Sequence, residues 1–255
     1  MTPSGWLIRD GLRLAVYGAG TAGPQMVFQH GLCGDAGQIS EAMAGLSPQR
    51  WTALECRGHG ASDMGEISVA LFADDVAALI ETLPGPVVLG GISMGAAIAT
   101  RLAVKRPELV KALVLVRPAW VAGDAPENIA PNAEVGALLA RLPADAARKV
   151  FSQSATAARL SREAPDNLAS LMGFFERAPH GATARLLCEI SADGPGITKT
   201  DLRAHDLPTL ICASAEDAIH PTAHAQDLAA LIGGAKLVNL PPKGRDKPAH
   251  LAALA

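Results

Sequence analysis

Gly91-Ile92-Ser93-Met94-Gly95 follows the apolar run Pro86-Val87-Val88-Leu89-Gly90 and precedes a helical pattern from Ala96-Ala97-Ile98-Ala99 to Leu102-Ala103. A G-x-S-x-G pentapeptide between a buried strand and a helix reads as a sharp strand-to-helix turn. Such a turn holds its central residue in a strained backbone conformation. The glycines two residues either side let the neighbouring segments approach without a Cβ clash. Ser93 then projects its hydroxyl at the strand's carboxyl end, with the next helix's N-terminus beneath it. A hydroxyl so placed is a candidate nucleophile, and such a group needs a base, an acid and oxyanion donors.

Outward from this turn the chain alternates strands and helices. Val69 to Leu83 carries a helical stripe at Leu71, Phe72, Val76, Leu79, Ile80 and Leu83, with Asp74-Asp75 on the wetter side. Val110 to Val116 is a continuous apolar strand, and Trp51 to Cys56 another. Such runs separated by helices predict an α/β fold, a mostly parallel central sheet with helices on both faces. Earlier, Leu7 to Arg9 and Leu12 to Tyr17 flank Asp10-Gly11 as a hairpin. Gly18-Ala19-Gly20-Thr21-Ala22-Gly23 matches G-x-G-x-x-G, but Pro24 and a strand-like Gln25 to Phe28 follow it. Without a helix to hold a pyrophosphate, it reads as a strand-to-strand loop and implies no nucleotide cofactor.

His30-Gly31-Leu32-Cys33-Gly34 comes directly after that strand. A glycine-bounded loop there aims a backbone N–H at the space above the sheet. Acyl transfer needs two such donors where the carbonyl oxygen becomes negative. Met94 N–H is one candidate, Leu32 N–H the other, with Cys33 next in line. His30 reads as a brace for the loop, and nothing near Cys33 marks a lowered thiol pKa.

Arg57-Gly58-His59-Gly60-Ala61-Ser62-Asp63 completes a series, H-G-x-x-G, R-G-x-G-x-S-D and G-x-S-x-G in that order. The series resembles the α/β-hydrolase family over about the first 115 residues, and the likeness resumes near residue 206. In that family the Arg57-to-Asp63 type of loop is mainly architectural, which leaves His59 outside the catalytic set. The resemblance implies a helical cap over the active site, and residues 118–205 carry mostly helical patterns punctuated by prolines. The predicted organisation is therefore a core of residues 1–117 and 206–255 with a cap of residues 118–205. Met172, Phe174, Phe175, Leu186 and Leu187 either line an acyl pocket or pack the cap. Arg117 and Trp120, where strand gives way to cap, are candidate substrate-binding residues. An arginine there either grips a substrate carboxylate in a two-pronged contact or forms an ordinary salt bridge.

Ser214-Ala215-Glu216-Asp217-Ala218-Ile219-His220-Pro221 is similar to the family's acid-bearing loop, G-x-x-D-x-x-x-P. Asp217 takes the acid position, with Glu216 the runner-up. Its task is to bind one ring nitrogen of a histidine and stabilise the imidazolium. The family places the base after the last strand, often as Gly-His, where this chain reads Gly244-Arg245. His250 is the only histidine beyond that strand and completes the order Ser93, Asp217, His250. His220 and His224 are alternatives that lie beside Asp217 itself.

Composition bounds the rest. The 255 residues are 49% hydrophobic, with a net charge of −3 and no long basic run, so nothing favours nucleic acid or an anionic membrane surface. No apolar run approaches the roughly 20 residues of a membrane span. Cys33, Cys56, Cys188 and Cys212 show no metal-ligand spacing. The expectation is a cytoplasmic serine hydrolase without cofactor or metal, acting on a small carboxylic ester or lactone through an acyl-enzyme. Diketone C–C cleavage with the same triad, or ligand binding without turnover, are the alternatives. The oligomeric state is left open.

Overall fold

The computed structural model describes residues 1–254. The chain opens on an antiparallel hairpin, β1 (Gly5–Arg9) and β2 (Leu12–Ala19), followed by β3 (Ala22–Gln29). The glycine-rich stretch 18–23 is thus mostly strand. It bends at Gly20-Thr21 and leads into no helix, which removes the N-terminus a pyrophosphate would need. Next come α1 (Ala36–Met43), β4 (Gln49–Leu54), α2 (Val69–Glu81), β5 (Val87–Ile92), α3 (Met94–Lys105) and β6 (Val110–Val116).

The strands form one eight-stranded sheet in the order β1-β2-β4-β3-β5-β6-β7-β8, with β7 (Thr209–Ser214) and β8 (Lys236–Leu240) closing one side. Pairing is antiparallel for β1–β2 and β2–β4 and parallel from β4 through to β8. The expected mostly parallel α/β sheet is present. β5 is central, and its register opposite β3 and β6 sets Gly91 beside Gln29 and Leu115.

Local sequence explains the helix starts. Ser68 caps α2 by accepting the Leu71 N–H at 3.0 Å, and Asp35 caps α1 by accepting the N–H groups of Gly37 and Gln38. Phe72, Val76 and Ile80 of α2 are essentially inaccessible to solvent, each side chain contributing about 1.5–3 kcal/mol of burial. Asp35→Ala should cost about 0.5–2 kcal/mol, read as a lower midpoint in urea unfolding with an unchanged slope.

One reading of α2 is corrected. Asp74 is exposed, but Asp75 is fully buried. Its carboxylate accepts from Arg57 Nε at 2.7 Å and Arg57 Nη2 at 2.9 Å. The apolar stripe placed both aspartates on the wet face, because periodicity cannot anticipate a buried guanidinium arriving from a distant loop.

Six helices separate β6 from β7: α4 (Ala130–Leu139), α5 (Ala144–Ser152), α6 (Ala155–Glu163), α7 (Pro165–Gly173), α8 (His180–Ser191) and α9 (Lys199–Arg203). α4 packs on α8. Phe151, Leu160 and Leu187 from these helices belong to the same apolar cluster as Phe72, Leu113 and Ile98 of the sheet layers. Asp193, after α8, accepts the N–H of Val69 at 2.7 Å through its side chain and the indole N–H of Trp120 at 2.9 Å through its carbonyl. The inserted helices are therefore pinned to the first turn of α2 and to the segment after β6. The chain ends with α10 (Thr222–Leu231), β8 and the short α11 (Lys247–Ala252), capped by Asp246. No helix among the described residues is long and apolar enough to cross a membrane.

Candidate active site

β5 and α3 position Ser93. Its backbone sits at φ 58°, ψ −111°, a conformation costly for any residue with a side chain. The surroundings over-determine it. The Ser93 N–H donates to Val116 O at 3.0 Å, and the Ser93 carbonyl accepts from Ala96 at 3.0 Å. A Cβ on Gly91 would collide with the Gly95 backbone, and one on Gly95 with the backbone of Gln29 and His30. Those contacts explain the two glycines of the pentapeptide. The Ser93 hydroxyl does not cap α3.

Ser93 opens onto a cleft of about 370 Å³, whose lining includes Leu32, Gln38, Arg117, Asn132, His220 and Lys243. That is the size of small-molecule sites. The loop after β3 forms one wall. Gly31 N–H donates to Gln38 Oε1 at 2.7 Å, and Cys33 N–H donates to His59 Nε2 at 3.1 Å. Cys33 N–H is thereby engaged, while the N–H groups of Leu32 and Met94 have no protein acceptor among the described residues.

Two inaccessible histidines brace this wall. His30 places Nδ1 2.9 Å from Gly31 O and accepts the Cys56 N–H on Nε2 at 3.1 Å. His59 places Nδ1 3.1 Å from Arg57 O while accepting from Cys33. Each ring is thus fixed as the Nδ1–H tautomer, and burial pushes both pKa values down. Burial also pushes the Cys33 thiol up to about 12, so it is not the thiolate that nucleophilic attack requires.

The loop after β7 brings a carboxylate, a guanidinium and an imidazole together. Asp217 accepts from Arg117 Nε at 2.8 Å, from Asn167 Nδ2 at 3.0 Å and from the His220 N–H at 3.0 Å. His220 Nδ1 lies 2.9 Å from both carboxylate oxygens. Burial opposes ionisation of Asp217, but His220, Arg117 and Asn167 outweigh it and hold the carboxyl well below the usual range. An ionised acceptor puts the His220 proton on Nδ1, so the 3.1 Å approach of Arg117 Nη2 to that nitrogen is a contact within the shared ion pair. His220 Nε2 has no protein partner among the described residues. Burial lowers the His220 pKa, and Arg117 adds to that while Asp217 opposes it.

The structure thus brings Ser93, Leu32, Arg117 and His220 to one cleft and holds Asp217 against Arg117 and His220. Two expected site residues do not line that cleft. Trp120 is buried in the apolar cluster, with its N–H on Asp193 O. His250 sits in α11 with Nδ1 2.8 Å from Pro241 O, beside a small cavity that also touches Gln38, Ile92, Arg117 and Lys243. No hydrogen bond joins it to Asp217. Lys243, Gln38 and Asn132 are cleft residues that motif reading did not single out. Lys243 lies in the segment after β8 where the family resemblance places a base, the only sequence signal for it. Among the described residues no cluster of three or more His, Cys, Asp or Glu side chains is placed to hold a metal ion.

Comparison with known proteins gives consistent relatives. A profile described as "Alpha/beta hydrolase family" matches residues 26–254. The chain is 38% identical over 99 residues to a 2-(acetamidomethylene)succinate hydrolase of Mesorhizobium japonicum, covering 37% of this chain and 36% of that protein. It spans little more than a third of the length of the curated relatives it matches. The fold is similar to that of an enol-lactonase from Burkholderia xenovorans, with a TM-score of 0.70 at 24% identity over 92% of this chain and 91% of that one. It is also similar to a thermophilic esterase from Thermogutta terrifontis in a malate-bound structure, with a TM-score of 0.72 at 24% identity over 99% and 94%.

Proposed function

Because the chain belongs to the alpha/beta hydrolase family, we propose that it cleaves a small carboxylic ester or lactone through a Ser93 acyl-enzyme. The observation that carries this reading is the placement of Ser93 and His220 on one cleft, with His220 Nδ1 held by Asp217. His220 Nε2 takes the Ser93 proton as Oγ bonds to the carbonyl carbon. The negative charge forms on the carbonyl oxygen, where the N–H groups of Leu32 and Met94 donate to it. Collapse breaks the bond to the leaving oxygen, which receives the proton from the His220 imidazolium. Water then loses its proton to the same nitrogen, attacks the acyl carbon and frees the Ser93 oxygen, which regains a proton.

Asp217 keeps the tautomer and offsets the imidazolium charge, while Arg117 and Asn167 keep Asp217 ionised and in place. His220 thus takes the role that the sequence order gave to His250. The elementary reason is orientation. A base must present a free lone pair while its other nitrogen is anchored on an acid, and His220 has both conditions. His250 Nδ1 is anchored on a neutral carbonyl, which supplies no counter-charge. Two proteins of similar fold are named as an enol-lactonase and an esterase, which supports the choice of ester or lactone among the family's reactions. The protein needs no membrane or nucleic-acid partner for that chemistry, and a cytoplasmic setting suits it.

The test is covalent labelling with a fluorophosphonate. Expected is one adduct, on Ser93, lost in Ser93→Ala and slowed strongly in His220→Ala. A folded protein whose Ser93 stays unmodified, and which turns over no p-nitrophenyl ester, is a ligand-binding member of the fold.

A further inference from the structure

Two cations line the cleft, Arg117 and Lys243, and no aspartate or glutamate does. Arg117 is committed to Asp217, at 2.8 Å through Nε and 2.7 Å through Nη2. Its charge there is matched by a carboxylate, and its orientation serves His220. Lys243 differs. Among the described residues its ammonium makes no ion pair and no hydrogen bond, although the side chain is half-buried. On its far side a second cavity meets Asp166, Glu216 and Asp217; Glu216 is paired with Arg245 at 2.8 Å and Asp217 with Arg117, while Asp166 acts on Lys243 only through space, with no ion pair or hydrogen bond between them.

Gln38 completes the pattern. Its Oε1 is fixed by the Gly31 N–H, which leaves the side-chain NH2 group without a protein acceptor among the described residues. Gln38 and Lys243 line both the main cleft and the small cavity beside His250, so they share one corner of the site; Glu41 also lines the small cavity, where it is paired with Lys247. An ammonium with no ion pair beside a fixed amide donor, in a cleft whose lining includes no aspartate or glutamate, is complementary to a carboxylate.

We infer that Lys243 and Gln38 form an anion subsite that holds a carboxylate carried by the substrate, in the cleft of Ser93. The substrate class is then a monoester of a small dicarboxylic acid, or a lactone bearing a free carboxylate. This rests on the hydrolase reading for the reaction but not for the binding. The electrostatics agree: burial lowers the Lys243 pKa, Arg117 and Lys247 add to that, and Asp166 and Glu41 oppose it only in part, so a bound anion stabilises the ammonium. Lys243 is preferred over Arg117 as the carboxylate grip, because Arg117 already holds Asp217 through Nε and Nη2.

The test compares mono(4-nitrophenyl) glutarate, which carries a free carboxylate, with 4-nitrophenyl butyrate, which is neutral. In Lys243→Met the ratio of kcat/KM for the charged over the neutral ester should fall about 10- to 100-fold, through KM. Lys243→Arg should keep most of that ratio. A second measurement needs no turnover: calorimetric binding of glutaric acid monoanilide to the Ser93→Ala protein, expected to weaken by a similar factor on adding Lys243→Met. An unchanged ratio with unchanged anilide affinity overturns the subsite and leaves the hydrolase reading standing. Equal losses on both esters also overturn it and give Lys243 a part in the chemistry. Lys243-dependent binding of the anilide without turnover of either ester keeps the subsite and sinks the hydrolase reading.

Discussion

His220→Ala is expected to lower kcat/KM on 4-nitrophenyl butyrate about 10²- to 10⁴-fold, the range a positioned general base supplies. His250→Ala should cost less than about tenfold, because that ring's Nδ1 rests on a carbonyl and its role is to hold α11 against Pro241. Circular dichroism and melting of both variants separate loss of chemistry from loss of fold. The reverse order of effects would identify His250 as the base. The pH profile adds a second readout. His220 must be neutral to accept the Ser93 proton, so activity rises as pH climbs through its pKa. Burial and Arg117 lower that pKa from the ordinary value of 6.5, so the acid limb of kcat/KM should fall below pH 6.5. A limb clearly above that value would contradict a buried, cation-flanked base.

Arg57→Met should be the most destabilising single change outside the site. Arg57 and Asp75 are paired at 2.7 Å with side chains only 4% and 1% exposed, and removing the guanidinium leaves a carboxylate buried without its partner. Breaking such a pair costs about 3–5 kcal/mol. Arg9, 37% exposed with Nε 3.5 Å from Asp75, offers partial compensation, so the lower end applies. About 3 kcal/mol corresponds to a fall in Tm of about 6–12 °C for a chain this size. The double variant Arg57→Met/Asp75→Leu should recover most of the loss, since it replaces the buried charges with apolar volume. The pair also has a positional role. Arg57 Nη2 reaches Asp10 at 2.6 Å, tying the β1–β2 hairpin to the loop whose His59 braces Cys33. If the double variant is no more stable than Arg57→Met, the loss lies in that tie and not in the stranded charge.

The elements that local chemistry specifies were legible in the residues themselves. The β5–α3 turn is written in Gly91, Ser93 and Gly95, because a close backbone approach admits no Cβ and the flanking runs have the periods of a strand and a helix. The parallel sheet follows from continuous apolar runs at Val87–Ile92, Val110–Val116 and Thr209–Ser214, which must be covered on both faces. The family resemblance put the acid position at Asp217, which the structure holds against His220. Partnerships across the fold were not legible. Whether Asp217 meets His220 or His250 depends on the path of the loop after β7. Within three residues the chain turns back far enough for one carboxylate to accept both the backbone N–H and the ring of His220. Motif order points instead to the far end of the chain. Only tertiary structure could pair Arg57 with Asp75, bury Trp120 against Asp193, commit Arg117 to Asp217, and leave Lys243 as the unmatched cation of the cleft. Periodicity fixes which face of an element is apolar, whereas ion pairs and lone-pair directions depend on three-dimensional distances that no one-dimensional spacing contains.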